Sequence, residues 1–461
     1  MKSREKSMKK QSIANYGRPI MIMSRKNLVV TLSVIFVGLA PSVFAQENVA
    51  EPLRVNIEQA IDMALEASED LKLQDNEVKR KSSERKEEKA SLFPKIIGEV
   101  GWSNNFEYPD IAATAATKDY HVSSGLTVNQ TVFTFGKISH TIFAAQKALE
   151  ASRFDQESTK QSVVYNTKIA FYNAYLAQRI LDIAEESYTN ALKNEEILAD
   201  RASGGRASKY DNIKIAADIA SRKPSVNNAR ADFVSAMETL KVVIGAESKD
   251  SIKLVADFNE EYFDFDRQNL AVSLCNNQPA IKALAKSIEE QAALIKSKKA
   301  TLLPEVSAFA TWNHKGDGND YYVGSDNLND YGVGGLKVSI PIWMGGISRE
   351  KLYQAKIDKD DAELKYKQGK EEYLLLLDKA VNEYREYKKT LEANKEAINL
   401  AEESFEYSQE LFGSGQISVT DLNDAELQLT KAKISKEITL FNLNSTSATI
   451  ERLTLMEKNN E

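Results

Sequence analysis

Three histidines and a single cysteine in 461 residues leave little material for chemistry. Cys275 has no second thiol to pair with, so an intrachain disulfide is excluded even in an oxidising compartment. His121, His140 and His314 are too few for a histidine-built metal or catalytic centre. No phosphate loop, nucleophile motif or metal-spaced cluster occurs, and Gly316–Asp320 is too loose for a calcium loop. The reading is a non-enzyme that needs no cofactor. Beyond residue 45 there is no stretch of about 18 apolar residues, so hydrophobic spanning helices are not expected there. Proline is missing from Asp110 to Lys223 and again from Ile342 onward, which leaves two long windows open to uninterrupted helix.

What is present begins with a leader. Arg25-Lys26 precede an apolar run from Leu28 to Ala40, and Val43-Phe44-Ala45 has the small-x-small pattern of a signal-peptidase site. The run is shorter than the roughly 20 residues of a spanning helix, so 1–45 is read as a signal peptide cleaved after Ala45. Residues 1–20 are polar and basic, and Met21 or Met23 would make a more ordinary start for such a leader. Gln46 follows the cleavage pattern where a lipid anchor would need cysteine. Removing 1–45 takes away eight Lys/Arg and one Glu, moving the formal net charge from −7 to −14. An acidic exported chain without a basic patch is a poor partner for nucleic acid.

The rest of the chain repeats with a register of 210 residues. Ala90-Ser91-Leu92-Phe93-Pro94 recurs as Ala300-Thr301-Leu302-Leu303-Pro304, Trp102 as Trp312, and Gly136 as Gly346. Gly205-Arg206-Ala207-Ser208-Lys209-Tyr210-Asp211 recurs as Gly415-Gln416-Ile417-Ser418-Val419-Thr420-Asp421. That period is far above the roughly 20 to 50 residues of solenoid units, so it marks a duplicated half-domain. The expected organisation is a first repeat over 46–245, a linker or equatorial segment over 246–267, and a second repeat over 268–457.

Within each repeat the proline-free windows are rich in Ala, Leu, Lys and Glu, which favours helix. Leu377, Tyr384, Leu391, Ile398, Phe405 and Phe412 fall at intervals of seven, the seam of a coiled coil. Long helices are expected at about 138–201 and 347–411, with shorter ones at about 55–91, 208–244, 268–301 and 418–456. Between Pro94 and Gly136, and between Pro304 and Gly346, the rhythm changes. Leu336, Val338, Ile340 and Ile342 alternate with Lys337, Ser339 and Pro341, a period of two that means strand. Ile96, Val100 and Trp102 share their parity with Val306, Ala310 and Trp312.

Four such strands of about ten residues suit a transmembrane β-sheet, and also a soluble pair of hairpins. Export without apolar helices favours the membrane, where only closed barrels satisfy strand backbone. Since about eight strands is the minimum for closure, the chain would supply part of an oligomeric barrel through hairpins at 94–136 and 304–346. Trp102, Trp312 and Trp343 suit an interfacial aromatic girdle or ordinary packing.

These features together resemble the TolC family of outer-membrane channel-tunnels. The carriers are Ala-x-Leu-x-Pro at 90–94 and 300–304, Val-Ser-Ile-Pro-Ile-Trp-Met-Gly-Gly at 338–346, and Phe-Gly-Ser-Gly-Gln-Ile-Ser-Val-Thr-Asp-Leu-Asn-Asp-Ala at 412–425. The resemblance covers about residues 50–456. It implies a long coiled-coil α-helical tunnel joined to a trimeric 12-stranded transmembrane β-barrel with four strands per chain. Pro94, Gly136, Pro304, Gly345 and Gly346 would mark the barrel–tunnel junction. It further implies the outer membrane of a Gram-negative bacterium, a long periplasmic portion, and contact with outer-membrane lipid. The implied partners are a periplasmic adaptor and an inner-membrane transporter. The implied work is passive conduction of drugs, other small molecules or polypeptides in efflux or type I secretion.

At the helical tip, Ser208-x-x-Asp211 and Ser418-x-x-Asp421 read as capping boxes after glycine-rich turns formed by Gly204, Gly205, Gly413 and Gly415. Asp424 has no cap duty and lies at i+3 from Asp421, on nearly the same helix face. By resemblance, three copies of Asp421 and Asp424 would ring the tunnel entrance. The family's closure also uses a Tyr and an Arg near these acids, where this chain carries Phe412 and Ile417. Arg201, Arg206 and Lys209 are the cations that could take over. The competing reading is a secreted coiled-coil scaffold or adhesin without a channel, which would stay soluble without detergent.

Overall fold

The computed structural model describes residues 53–106, 118–204, 208–247, 251–255, 258, 266–319, 321, 323 and 328–455. The expected leader at 1–45 and the tip residues Gly205 and Arg206 lie outside the described residues. In chain order the first repeat gives β1 (Leu53–Val55), α1 (Ile57–Ala67), α2 (Glu69–Ala90), β2 (Lys95–Asn104), β3 (Tyr120–Phe133), α3 (Lys137–Ser203) and α4 (Lys209–Ile244). Then follow β4 (Ile252–Leu254), α5 (Arg267–Asn277), α6 (Pro279–Ala300), β5 (Glu305–Gly318), β6 (Leu328–Ser339), α7 (Ile347–Ser414) and α8 (Val419–Thr454). Adding 210 to the bounds of α1, α2 and α4 returns those of α5, α6 and α8, and α3 maps onto α7 to within one residue. The duplication is therefore one of three-dimensional elements.

Two breaks depart from the helices expected at 55–91 and 268–301. Ser68 separates α1 from α2, and Gln278 separates α5 from α6, again 210 residues apart. Ser68 leaves helical geometry, and its side chain accepts a hydrogen bond from the Leu71 amide at 3.2 Å, so it caps the next helix. At the second break Pro279 occupies the first turn of α6, where its missing N–H costs nothing, and it disfavours helical backbone at Gln278. The parallel pair β1–β4, with Leu53 opposite Ile252, was also not expected, and it ties the start of the first repeat to the segment after α4.

The long helices α3 and α7 contain 67 and 68 residues, each roughly 100 Å of helix at about 1.5 Å per residue. Along α7 the heptad residues Leu377, Tyr384, Leu391, Phe405 and Phe412 are buried, and Ile398 is half-buried. Each long helix pairs with its successor, α3 with α4 and α7 with α8, and α3 also packs on α8. Apolar side chains gather at three places. One cluster centres on Leu240, Ile244 and Phe171, a second on Leu274, Leu377 and Leu453, and a third, at the tip, on Leu198, Phe412 and Leu422.

The four longer strands form one antiparallel sheet in the order β2-β3-β5-β6. Register places Ile96 beside Val128, Val128 beside Ala310, and Ala310 beside Gly334. Up to a register shift after Thr131 in β3, even-numbered positions of all four strands therefore share one face, which carries Ile96, Val100, Leu126, Trp312, Leu336 and Val338. The opposite face is the more polar one, carrying Lys95, Glu99, Thr127, Asn313, Lys315 and Lys337 beside Ile97, Phe309 and Val333. Within one chain the apolar face is uncovered: Val100 is 87% exposed and Leu336 72%. The hydrogen-bonded pair His314 and Asp330 stands on this face toward the end remote from the helices.

At the sheet–helix junction, Pro94 and Pro304 stand immediately before β2 and β5, after the helix-ending turns of α2 and α6. Gly136 and Gly346 precede α3 and α7 in left-handed backbone, with φ of 86° and 85°. Gly345 adds a second left-handed residue at φ 62°, and its counterpart Phe135 adopts φ 50° despite its side chain. Two consecutive left-handed residues thus turn each strand exit into a helix start.

Candidate functional site

The tip is built from the ends of α3 and α7 and the starts of α4 and α8. Ser208 and Ser418 hold equivalent positions. Ser208 Oγ accepts from the Asp211 amide at 3.1 Å, and Asp211 Oδ2 accepts from the Ser208 amide at 3.1 Å. The Ser418–Asp421 pair does the same at 3.3 and 3.0 Å. These reciprocal bonds satisfy amides that the first helical turn leaves without partners. They also stabilise the ionised acid, so the serine hydrogen bonds hold both Asp211 and Asp421 below the usual carboxylate range.

The turn glycines divide. Gly204 caps α3, while Gly415 at φ 84° ends α7, its amide reaching Phe412 O at 3.0 Å and the Gln416 amide reaching Leu411 O at 2.9 Å. That is the paired bonding of a glycine-terminated helix. Gly413, expected in the turn, lies in the last turn of α7, because the helix continues until a left-handed residue can close it.

Asp421 and Asp424 are both exposed on α8 but differ in engagement. The Asp421 carboxylate is committed to Ser418, and Lys214 on α4 lies near enough to favour its charge further. Lys214 hydrogen-bonds Thr420 Oγ1 across the α4–α8 gap. Asp424 lines a groove between α4 and α8 beside Asp218 and Arg222, and makes no hydrogen bond or ion pair among the described residues. Phe412 is completely buried, so it belongs to the tip core. The Arg201 guanidinium lies over its ring at 4.7 Å, a cation–π contact from α3 to α7. A second α3–α7 tie is Gln409 Nε2 donating to Asn194 Oδ1 at 3.3 Å. Ile417 packs at the edge of the same cluster.

Behind Asp424 stands a buried ionic knot that the sequence reading missed. Arg222 Nη1 lies 2.6 Å from Glu426 Oε1, and Arg222 Nε lies 2.8 Å from Asp218 Oδ2. The same Nη1 donates to Ser187 Oγ at 2.6 Å, so α3, α4 and α8 meet on one guanidinium. Glu426 is 1% exposed, and its Oε2 has no hydrogen-bond partner among the described residues. Burial pushes its carboxyl above the ordinary value, against the pull of Arg222.

With this geometry in view, comparison with known proteins decides the family. The model of the family described as outer membrane efflux protein matches residues 60–246 and 270–454, two segments that begin 210 residues apart. The chain belongs to the outer membrane efflux protein family. Its match to a solvent efflux pump outer membrane protein, SrpC of Pseudomonas putida, is 20% identical and covers 84% of this chain and 81% of the relative. Nodulation protein T of Rhizobium leguminosarum bv. trifolii is also 20% identical, and the match spans 66% of each chain. The fold is similar to the CmeC outer membrane channel of Campylobacter jejuni, with a TM-score of 0.77, 18% identity, and coverage of 88% of this chain and 87% of that one. This efflux protein is thus an outer-membrane component of the TolC family, and membership removes the secreted-scaffold alternative. No described helix of this efflux protein is long and apolar enough to cross a membrane.

Proposed function

We propose that three copies of this chain close a twelve-stranded barrel in the outer membrane above a helical tunnel, forming a passive exit duct. The single observation that carries the proposal is the four-stranded sheet with one apolar face and two edges, β2 and β6, unpaired among the described residues. Four strands are about half of the smallest membrane barrel, and an open edge is not tolerated in lipid. Joining β6 of one copy to β2 of the next removes every edge. The polar face then lines the lumen, and the apolar face meets lipid.

The duct receives cargo from an inner-membrane transporter through a periplasmic adaptor docked near the helical tips. SrpC is named for a solvent efflux pump, and that supports small-molecule cargo here. No step needs a nucleophile, base or cofactor. Charge at the entrance selects what enters: three copies of Asp424, and of Asp421 beside it, form acidic rings of the kind that favour cations. Closure at the tip rests on Arg201 over Phe412, Gln409 with Asn194, and Arg222 with Glu426, which replace a Tyr–Arg lock that this chain lacks.

The test is the assembly state. Protein extracted from outer membranes in detergent should have the mass of a trimer by light scattering, and should form conducting pores in planar bilayers. A monodisperse, detergent-free monomer would end the duct reading.

A further inference from the structure

The groove beside Asp424 has a shape and charge that the duct does not require. It encloses about 560 Å³ between α4 and α8, with α3 as its floor. Ile180, Ala184, Leu427 and Ile434 supply an apolar lining, and Leu427 is 47% exposed. A volume of this size lies in the range of small-molecule sites, which pair apolar walls with a few placed polar groups.

The charges are unequal. Arg222 is engaged by Asp218, Glu426 and Ser187 together. Two carboxylates, Asp218 and Glu426, thus hold the one guanidinium, and Asp424 lines the same groove without a partner among the described residues. Glu426 Oε2, buried behind the wall, also lacks a hydrogen-bond donor among the described residues. An anion would meet excess negative charge here, and a small inorganic cation would leave the apolar lining uncovered.

We infer that this groove is a binding site for an amphiphilic organic cation, one in each chain, with its charged nitrogen on Asp424 and its apolar body against Leu427, Ile434 and Ile180. The inference rests on the exit-duct reading for its cargo, and it places a transient station just past the entrance. It differs from an acidic ring, which holds one ion per trimer on the symmetry axis and makes no use of an apolar wall.

The test uses the full-length trimer in detergent, with ethidium as the cationic probe and fluorescein as an anionic aromatic of similar size. Ethidium anisotropy should saturate at one probe per chain, and fluorescein should show no saturable binding. Asp424→Asn should weaken ethidium about threefold to fivefold, the range for a partly exposed ion pair. Ser225→Trp, at an exposed position lining the groove, should abolish saturable binding by filling it. Planar-bilayer conductance of each variant reads the duct separately. Equal binding of both probes, one probe per trimer, or unchanged ethidium binding in Ser225→Trp overturns the groove site. If the channel still conducts in those cases, the duct stands without it; loss of conductance in the unmodified protein would instead remove the duct.

Discussion

Replacing Arg222 with methionine keeps most of the side-chain volume and removes the guanidinium facing Glu426. Both partners lie well inside the protein, with side-chain exposures of 14% and 1%, so the small values of surface ion pairs do not apply. Removing one member of a buried pair costs about 3–5 kcal/mol, because the remaining charge is left without compensation. The lower end is expected, since Glu426 can escape by taking up a proton. A local loss of about 3 kcal/mol is roughly a 100-fold fall in amide protection, at about 1.4 kcal/mol per tenfold. It should be read by hydrogen exchange over residues 215–229 and 422–434. The effect should depend on pH with a definite sign. Burial raises the folded pKa of Glu426 above the unfolded value, so the group weakens the fold as pH rises from the unfolded value through the folded one. Without Arg222 the folded value climbs further, so the deficit should be smallest at acid pH, where the carboxyl is protonated, and should grow as pH rises. Adding Glu426→Met removes the stranded carboxylate and should restore most of the protection, since buried pairs often tolerate apolar replacement of both partners. A double variant as damaged as Arg222→Met alone, or a deficit independent of pH, would refute the reasoning.

Leu336→Lys on the apolar sheet face should cost about 2–4 kcal/mol and reduce the trimer recovered from membranes. Ser339→Lys, on the other face, should be milder, and equal losses would show the faces to be reversed. In planar bilayers the channel should prefer cations and be blocked by multivalent cations applied from the tip side. Asp424→Ala should weaken both effects by deleting three carboxylates, and unchanged block would remove the acidic ring. Gly415→Ala should destabilise the tip by about 1 kcal/mol, because its φ of 84° is unfavourable for a residue with Cβ. Tip protection equal to the parent would contradict that assignment.

The order of elements was legible because two independent signals coincided: proline-free charged windows for the long helices, and period-two runs between Pro and Gly for the strands. The breaks at Ser68 and Gln278 were harder, since each costs a helix only one residue of non-helical backbone. Pro279 was the available sign, because a proline disfavours helical backbone at the residue before it. The pair β1–β4 is only three residues per strand, too short for any period to show. The ionic knot was hidden for a different reason. Lys and Glu fill these helices, and one more Arg or Glu looks like solvated surface. The sign was position: Glu426 sits between buried Leu422 and Leu429 at seam spacing, and Arg222 lies seven residues from both buried Ile215 and buried Ala229. Charges at seam positions call for buried partners, and such partners fix register.

The 210-residue repeat has a consequence for stoichiometry. A trimer of the proposed kind would present six helical hairpin tips whose α4 and α8 starts are capped alike but whose charges differ, because Lys214 stands where the second repeat has Asp424. Any partner that grips all six must therefore accept two environments. A ring of six identical subunits would have to seat alternate members against a lysine-bearing and an aspartate-bearing hairpin. A three-fold partner would instead straddle one hairpin of each kind, and the α4–α8 boundary within a chain would then differ from the boundary between chains.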